Sequence, residues 1–472
     1  MVFSSLIFLF LFLPGTLLFY FLTPDKYKNI PLFLSSVFFY TWGEGDLVVL
    51  LLLSSVINYF LGIYIEQTEK KKLVLTLALI INFASLGYYK YADFALINYN
   101  YLIEFLGLSS LAVQNLPNIT LPIGISFYTF QAVSYIMDIY RKKTYANKNY
   151  IEFATYLCMF PQLVAGPIVR YIDIESQFSN RKPQINAVSS GIERFIIGLS
   201  KKVLIANTMA QIADEIFNTN ISEISSPIAW LGAFAYAMQI YFDFSGYSDM
   251  AIGLGKIFGY NFPENFNYPY ISKSIKEFWR RWHISLSSWF RDYLYIPLGG
   301  NRAGNFRTYI NLFIVFFVTG LWHGASWNFI VWGLWHGTFL IIERIGWTKV
   351  LEKSNPIIQH LYTLIIVLIG WVIFRADNLH LAWEFINKMF SFDFNNNYYT
   401  QYAKIMTINS FNVFIAILAI VLSFPIYSNL EKRFKLNNSL DWIFKIGIIG
   451  IFLLSVIFIN SSNYNPFIYF RF

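Results

Sequence analysis

Apolar residues in this chain do not alternate with polar ones. They come in long blocks. "SLIFLFLFLPGTLLFYFL" (5–22), "LVVLLLLSSVINYFLGIYI" (47–65) and "LVLTLALIINFASLGYYKY" (73–91) each run to about the 20 residues a helix needs to cross the hydrocarbon of a bilayer. Comparable blocks recur near 121–140, 151–169, 228–242, 309–322, 328–342, 360–374, 411–428 and 443–460. The pattern predicts an all-α, polytopic membrane protein of roughly ten to twelve membrane helices, some short or re-entrant because blocks under about 18 residues are ambiguous. Neither an internal repeat nor a linker stands out. Residues 1–472 therefore read as one membrane domain with a short tail, 461–472, and the least hydrophobic stretches (171–193, 261–307, 387–410) read as loops or surface helices within it.

Composition agrees: 56% hydrophobic, 20% aromatic and 13% charged residues, with mean hydropathy +0.48, exclude a soluble protein. The first block lacks a basic leading region and a small-residue cleavage site, and a second apolar segment follows it, so a removable signal peptide is not expected. Cys158 is the single cysteine, which excludes an internal disulfide; its apolar surroundings predict packing. The net charge of +8 does not point to nucleic acid, because the basic residues cluster between blocks, as positive cytoplasmic loops do. "EKKK" (69–72) and "YRKK" (140–143) are two spans apart and fall on one side. The densest basic region, 273–307, and "EKRFK" (431–435) join them there, so the last block delivers residues 461–472 to the opposite, outer side.

Candidate chemistry is sparse. Among five histidines, His360 and His380 sit at a span edge and in a polar loop. His323 and His336 lie in "FIVFFVTGLWHGASWNFIVWGLWHG", each within a Gly-flanked "LWHG" quartet. An imidazole there is a general base for a hydroxyl or a hydrogen-bonded packing group, and the residues leave both readings open. On an uninterrupted helix, 13 residues (336 − 323) turn through about 1300 degrees, which would aim the two rings at different faces. "SIKEFWRRWHISLSSWFRDYLYIPLGGNR" (274–302) reads as an amphipathic helix, with Ile275, Phe278, Trp282, Leu286, Trp289 and Tyr293 on one face. It is either an interfacial helix lying in the bilayer surface or a cytoplasmic vestibule whose cations meet ligand phosphates, with His283 at its mouth. Asp243 and Asp249, in "QIYFDFSGYSDMAIGLG", are read as facing apart, with Gly246 interrupting the helix. No carboxylate–histidine spacing suits a metal, and none is expected.

Taken together, "LPIGISFYTFQAVSYIMDIYR" (121–141), "FPQLVAGPIVR" (160–170), "YFDFSGYSDMAIGLG" (241–255), "EFWRRWHISLSSWFRDYLYIPLGGNR" (277–302), "GLWHGASWNFIVWGLWHG" (320–337) and "GWVIFRA" (370–376), in this order, resemble the membrane-bound O-acyltransferase family. The likeness covers nearly the whole chain and is strongest to the bacterial branch that acetylates extracellular polysaccharides. It implies helices around a central tunnel in the bacterial inner membrane. His323 would be the catalytic histidine, His283 the second one and His336 a secondary candidate. Acetyl-CoA would be the cytoplasmic donor, with no bound cofactor, and its phosphates would meet Arg280, Arg281, Arg291 and Arg302. An extracytoplasmic SGNH or esterase-like transferase would pass the acetyl group to a polysaccharide, peptidoglycan being expected ahead of alginate or cellulose.

The terminal "PFIYFRF" (466–472) has two readings. Its aromatics could form a membrane-interface belt. It also resembles the aromatic motif of a separate peptide in the D-alanylating relatives, whose tyrosine carries the acyl group. The resemblance and the outer placement of the tail favour Tyr469 as carrier, with Tyr464 as the neutral tyrosine outside the motif. Two other functions compete. A transporter would want an internal repeat, which is absent from the sequence, and D-alanyl transfer by the same fold is disfavoured by the fused tail.

Overall fold

The computed structural model describes residues 2–114, 119–178, 181, 183–302, 304–394, 409–426, 438–462 and 464–467. Tyr469, Phe470, Arg471 and Phe472 lie outside them. The described residues are helical and contain no β-strand. Along one side run α1 (Phe8–Leu22), α2 (Asn29–Glu44), α3 (Val48–Gln67) and α4 (Lys71–Phe105). The blocks did not predict α2, because its apolar stretch is shorter than a full span.

Next come α5 (Ile125–Tyr140) and α6 (Tyr150–Cys158). The block 151–169 is not one span. Its helix stops at Met159, and Pro161 and the Gly166–Pro167 pair allow only the short turn Phe160–Leu163 beyond it. Helices α7 (Ile185–Ser200) and α8 (Asn207–Asn218) are continuous through a π-turn, Lys201–Ala206, so the stretch 171–193, expected as loop or surface helix, ends in helix. The long α9 (Ser226–Ile257) is almost wholly buried. Two short helices, α10 (Ile275–Arg281) and α11 (Ile284–Phe290), lead to α12 (Asn305–His323), α13 (Trp327–Ile342) and α14 (Pro356–Arg375). The chain closes with α15 (Leu379–Met389), α16 (Ser410–Leu422) and α17 (Asn438–Ser461).

Among the described residues, four helical stretches are long and apolar enough to cross a membrane: Asp25–Gln67, Lys71–Phe105, Pro356–Arg375 and Trp442–Ser461. They expose much of their apolar surface, such as Phe60, Ile80, Ile357 and Ile449, as lipid-facing helices do. The inner helices are shorter or more polar because protein, not lipid, surrounds them.

Glycine lets α7 and α9 cross at backbone contact. A Cβ on Gly246 of α9 would stand 2.7 Å from the Gly198 carbonyl oxygen of α7, and one on Gly253 would stand 2.5 Å from that of Gly191. Small residues here let two backbones touch. Gly246 therefore does not interrupt α9, contrary to the expectation. Its two acids take separate partners: Asp243 pairs with Lys202 at 2.9 Å, and Asp249 with Lys201 at 2.6 Å and Arg194 at 2.8 Å. Both lysines lie at the start of the π-turn Lys201–Ala206, and Lys202 is buried.

Candidate active site

Helix α12 ends on His323. Gly324 is extended (φ −177°, ψ 160°), and Ser326 caps α13 by accepting from the Asn328 N–H. Gly333 lets α13 fold back closely, since a Cβ there would stand 2.2 Å from the Phe316 oxygen. The repeated "LWHG" quartets are thus on two antiparallel helices rather than one. The expectation of divergent rings fails for that reason: His323 and His336 meet the same indole, Trp332, with centroids at 4.8 and 5.3 Å. His336 is enclosed by Trp279 and Phe278 as well.

Lys90 holds the end of α12. Its ammonium donates to the Trp322 and His323 carbonyls and to Ser126 Oγ. A cation is stabilising where a helix leaves its last carbonyls unpaired. The ring of His323 packs edge-on to Trp322 and Phe374 at 5.0 and 5.3 Å.

The segment 274–302 is not one amphipathic helix. The helix breaks at Trp282 (φ −96°, ψ 128°) and His283 (φ 43°), where the loop before α10 intrudes. Asn267 N–H donates to Arg281 O, and Ile284 N–H donates to Asn265 O, so the loop takes up the backbone groups the break releases. A non-glycine residue at positive φ persists only where its surroundings fix it, and such positions cluster at functional sites. The stripe from Ile275 to Tyr293 is buried in the protein core, which removes the bilayer-surface reading. His283 is fully buried, not at a mouth.

Asn265 orients that histidine. Its Oδ1 faces His283 Nδ1 at 3.1 Å and accepts from Ser285 Oγ at 2.8 Å, while its Nδ2 donates to Ser248 Oγ at 3.0 Å. An amide oxygen only accepts, so Nδ1 carries the proton and Nε2 keeps its lone pair. Nε2 makes no hydrogen bond among the described residues. The ring stands 4.6 Å from Phe244 and 6.0 Å from Trp322, the indole that also packs on His323.

Among the described residues, two of the cavities reach α12. One, of about 390 Å³, is lined by Lys276, Arg280 and Arg291 at its polar rim and by Trp279, Phe316 and Thr319 inside. The other, of about 340 Å³, is lined by Lys90, Glu44, Ser126, Trp322, His323 and the tail residue Phe467. They reach α12 at Thr319 and at Trp322–His323, one helical turn apart. Of the expected donor-binding arginines, Arg280 and Arg291 line the first cavity. Arg281 instead pairs with Glu277 at 2.9 Å, and exposed Arg302 lines neither cavity. His336 lines neither. His360 Nδ1 lies 3.2 Å from the Ser272 carbonyl, and exposed His380 pairs with Glu384.

Lys90 and Asn265 were not singled out in sequence. A lone lysine inside the apolar block 73–91 was a usable signal for the first. Asn265, in an ordinary loop, gave none.

Residues 145–376 match the family model of MBOAT, the membrane-bound O-acyltransferase family. The chain is 42% identical to the probable alginate O-acetylase AlgI of Azotobacter vinelandii over the full length of both proteins. It belongs to the membrane-bound O-acyltransferase family. It is therefore an acyltransferase. The peptidoglycan O-acetyltransferase of Helicobacter pylori is 35% identical across 100% of this chain and 98% of its own. The teichoic acid D-alanyltransferase of Bacillus subtilis is 32% identical over 44% of this chain and 55% of its own. His283, His323 and His336 fall inside the matched family region, whereas Lys90 and the tail fall outside it.

In this acyltransferase Asn265 is expected to act through His283. Asn265→Leu, which cannot accept from Nδ1, should lower kcat about tenfold or more and leave the KM for the donor unchanged. Asn265→Asp, which still accepts, should restore most of the rate with a displaced pH profile. Equal losses in the two variants, with KM moving alongside kcat, would reduce Asn265 to a packing role.

Proposed function

We propose that this acyltransferase moves acetyl from cytoplasmic acetyl-CoA, through Tyr469 of its own tail, to an extracytoplasmic esterase-like transferase that O-acetylates a polysaccharide. One observation carries the reading: the cavity beside His323 is also lined by Phe467. Tyr469 follows two residues later, and two residues span at most about 7 Å.

The chemistry balances. His323 takes the phenol proton while the Tyr469 oxygen attacks the thioester carbonyl. A C–O bond forms, the C–S bond breaks, and the proton passes to the leaving CoA thiolate. A serine of the partner then attacks the phenyl ester, its proton returning to the phenolate. Lys276 and Arg280 suit the donor's phosphates, Arg280 through its planar fork, while Arg291 lines the same cavity with its fork on Asp292. The basic loops favour their side as cytoplasmic and the tail as outside.

The acceptor is proposed as a polysaccharide hydroxyl. Peptidoglycan, the sequence expectation, is supported by the 35% identical relative, whereas a 42% identical relative is named for alginate, so identity does not favour peptidoglycan. The D-alanyl relative matches less than half of this chain, which disfavours that reading.

Inside-out vesicles given acetyl-labelled CoA should place label on the tail peptide 461–472. The double variant Arg280→Glu, Arg291→Glu should raise the donor concentration for half-maximal labelling at least about tenfold, as loss of charge-assisted hydrogen bonds does. A tail that never acquires label sinks the carrier. An unchanged half-saturation moves the donor site elsewhere.

A further inference from the structure

Chain ends ordinarily fray. Here the four residues before the terminal aromatics are tied to the interior one after another. Tyr464 OH donates to Asp214, whose other oxygen accepts from Arg375 at 2.6 Å. Asn465 Nδ2 donates to the Ser4 carbonyl at 3.1 Å and to its hydroxyl at 3.0 Å, and Asn465 Oδ1 accepts from Asn207 at 3.3 Å. The carbonyl of Pro466 accepts from the Lys202 ammonium. Phe467, 5% exposed, packs on Tyr247 with ring centroids 4.0 Å apart. Tyr464 is accordingly not the neutral position it was expected to be.

Lys202 is the centre of this arrangement. It is 1% exposed, and its three N–H donors meet Asp243, Asn207 and Pro466. A buried ion pair stabilises little relative to an apolar pair of the same shape, so its worth lies in what it specifies. What it specifies here is the position of a tail carbonyl. Phe467 alone would anchor the tail apolarly but would not fix where the backbone stops. The pair stops it at the wall of the cavity that holds His323.

We infer that Lys202, with Asp243, Asn207, Asn465 and Ser4, is a clamp that fixes the tail at Pro466–Phe467 and presents Tyr469 to His323. Lys202 is a positioning residue, and its presenting role rests on the carrier reading above. The clamp belongs to the chain itself and requires no partner to form.

The test uses the full chain with Cys158→Ser, which removes the only thiol, and Phe467→Cys as reporter. A membrane-impermeant maleimide is added from the outside. The reporter should be protected when the clamp is intact and should label at least about tenfold faster in Asn465→Ala and Asn207→Ala. Lys202→Met alone leaves Asp243 buried without its partner, so the double variant Lys202→Met, Asp243→Leu serves where the single one fails to fold. In chains carrying native Phe467, the clamp variants should slow acetyl transfer about tenfold at unchanged half-saturation by acetyl-CoA. Labelling equally fast with and without the clamp residues overturns the clamp, whatever Tyr469 does. A Tyr469→Phe protein that acetylates normally while the reporter stays protected overturns instead the carrier reading, and with it the presenting role.

Discussion

Acetyl transfer should fall by at least about a hundredfold in His323→Ala, the scale on which loss of a general base is felt, while the protein should still insert and keep its fold. The fold should survive because Lys90 bonds the backbone carbonyls of Trp322 and His323, not the imidazole. The end of α12 is thereby held whatever side chain residue 323 carries. The variant does leave a void among Trp322, Trp332 and Phe374, so some loss of thermal stability accompanies it. Measuring labelled transfer alongside the melting temperature separates the two effects. His283→Ala should also slow transfer, since its Nε2 lone pair lies in the same aromatic layer. His336→Ala should act chiefly through stability, because that ring is packed among Trp279, Phe278 and Trp332 and lines neither cavity. Normal transfer by His323→Ala with loss in His336→Ala would reverse the assignment.

Tyr469→Phe should abolish transfer to polysaccharide and leave expression, insertion and donor binding intact. The change removes one oxygen and keeps the ring, so any anchoring by the aromatic tail survives it. A phenol titrates near pH 10, and its oxygen becomes a useful nucleophile only when a base takes the proton. Phe467 lines the cavity of His323, and Tyr469 follows it by two residues in sequence. The resulting phenyl ester is more reactive than an alkyl ester because phenolate leaves more readily, which suits hand-over to a serine outside the membrane. Acetylation of cell polysaccharide, followed with the wild type and Tyr469→Phe in a deletion strain, reads the effect directly. Wild-type acetylation in that variant would leave the tail as a membrane anchor. Tyr464→Phe is no longer a silent control, since it removes the bond to Asp214.

Block length and apolar content by themselves determined the class, an all-helical membrane protein, because a bilayer leaves a chain almost no other way to satisfy its backbone. The ordered motifs carried the resemblance and singled out His323 and His283, since histidines at "LWHG" and "RRWHIS" are local words that need no partner to be read. The orientation of those rings depends on the tertiary structure. The break at His283 follows from Asn265 and Asn267 arriving from a neighbouring loop, and the periodicity of 274–302 gave no sign of it. The repeated quartet concealed the turn at Gly324, so only the folded chain shows two histidines sharing Trp332. The same holds for charge. Lys202 meets Asp243 because glycine contacts bring α7 and α9 together, and that crossing is not a property of any one segment. Sequence patterns register what a helix presents to lipid or water; which buried polar group faces which is decided by how the helices cross.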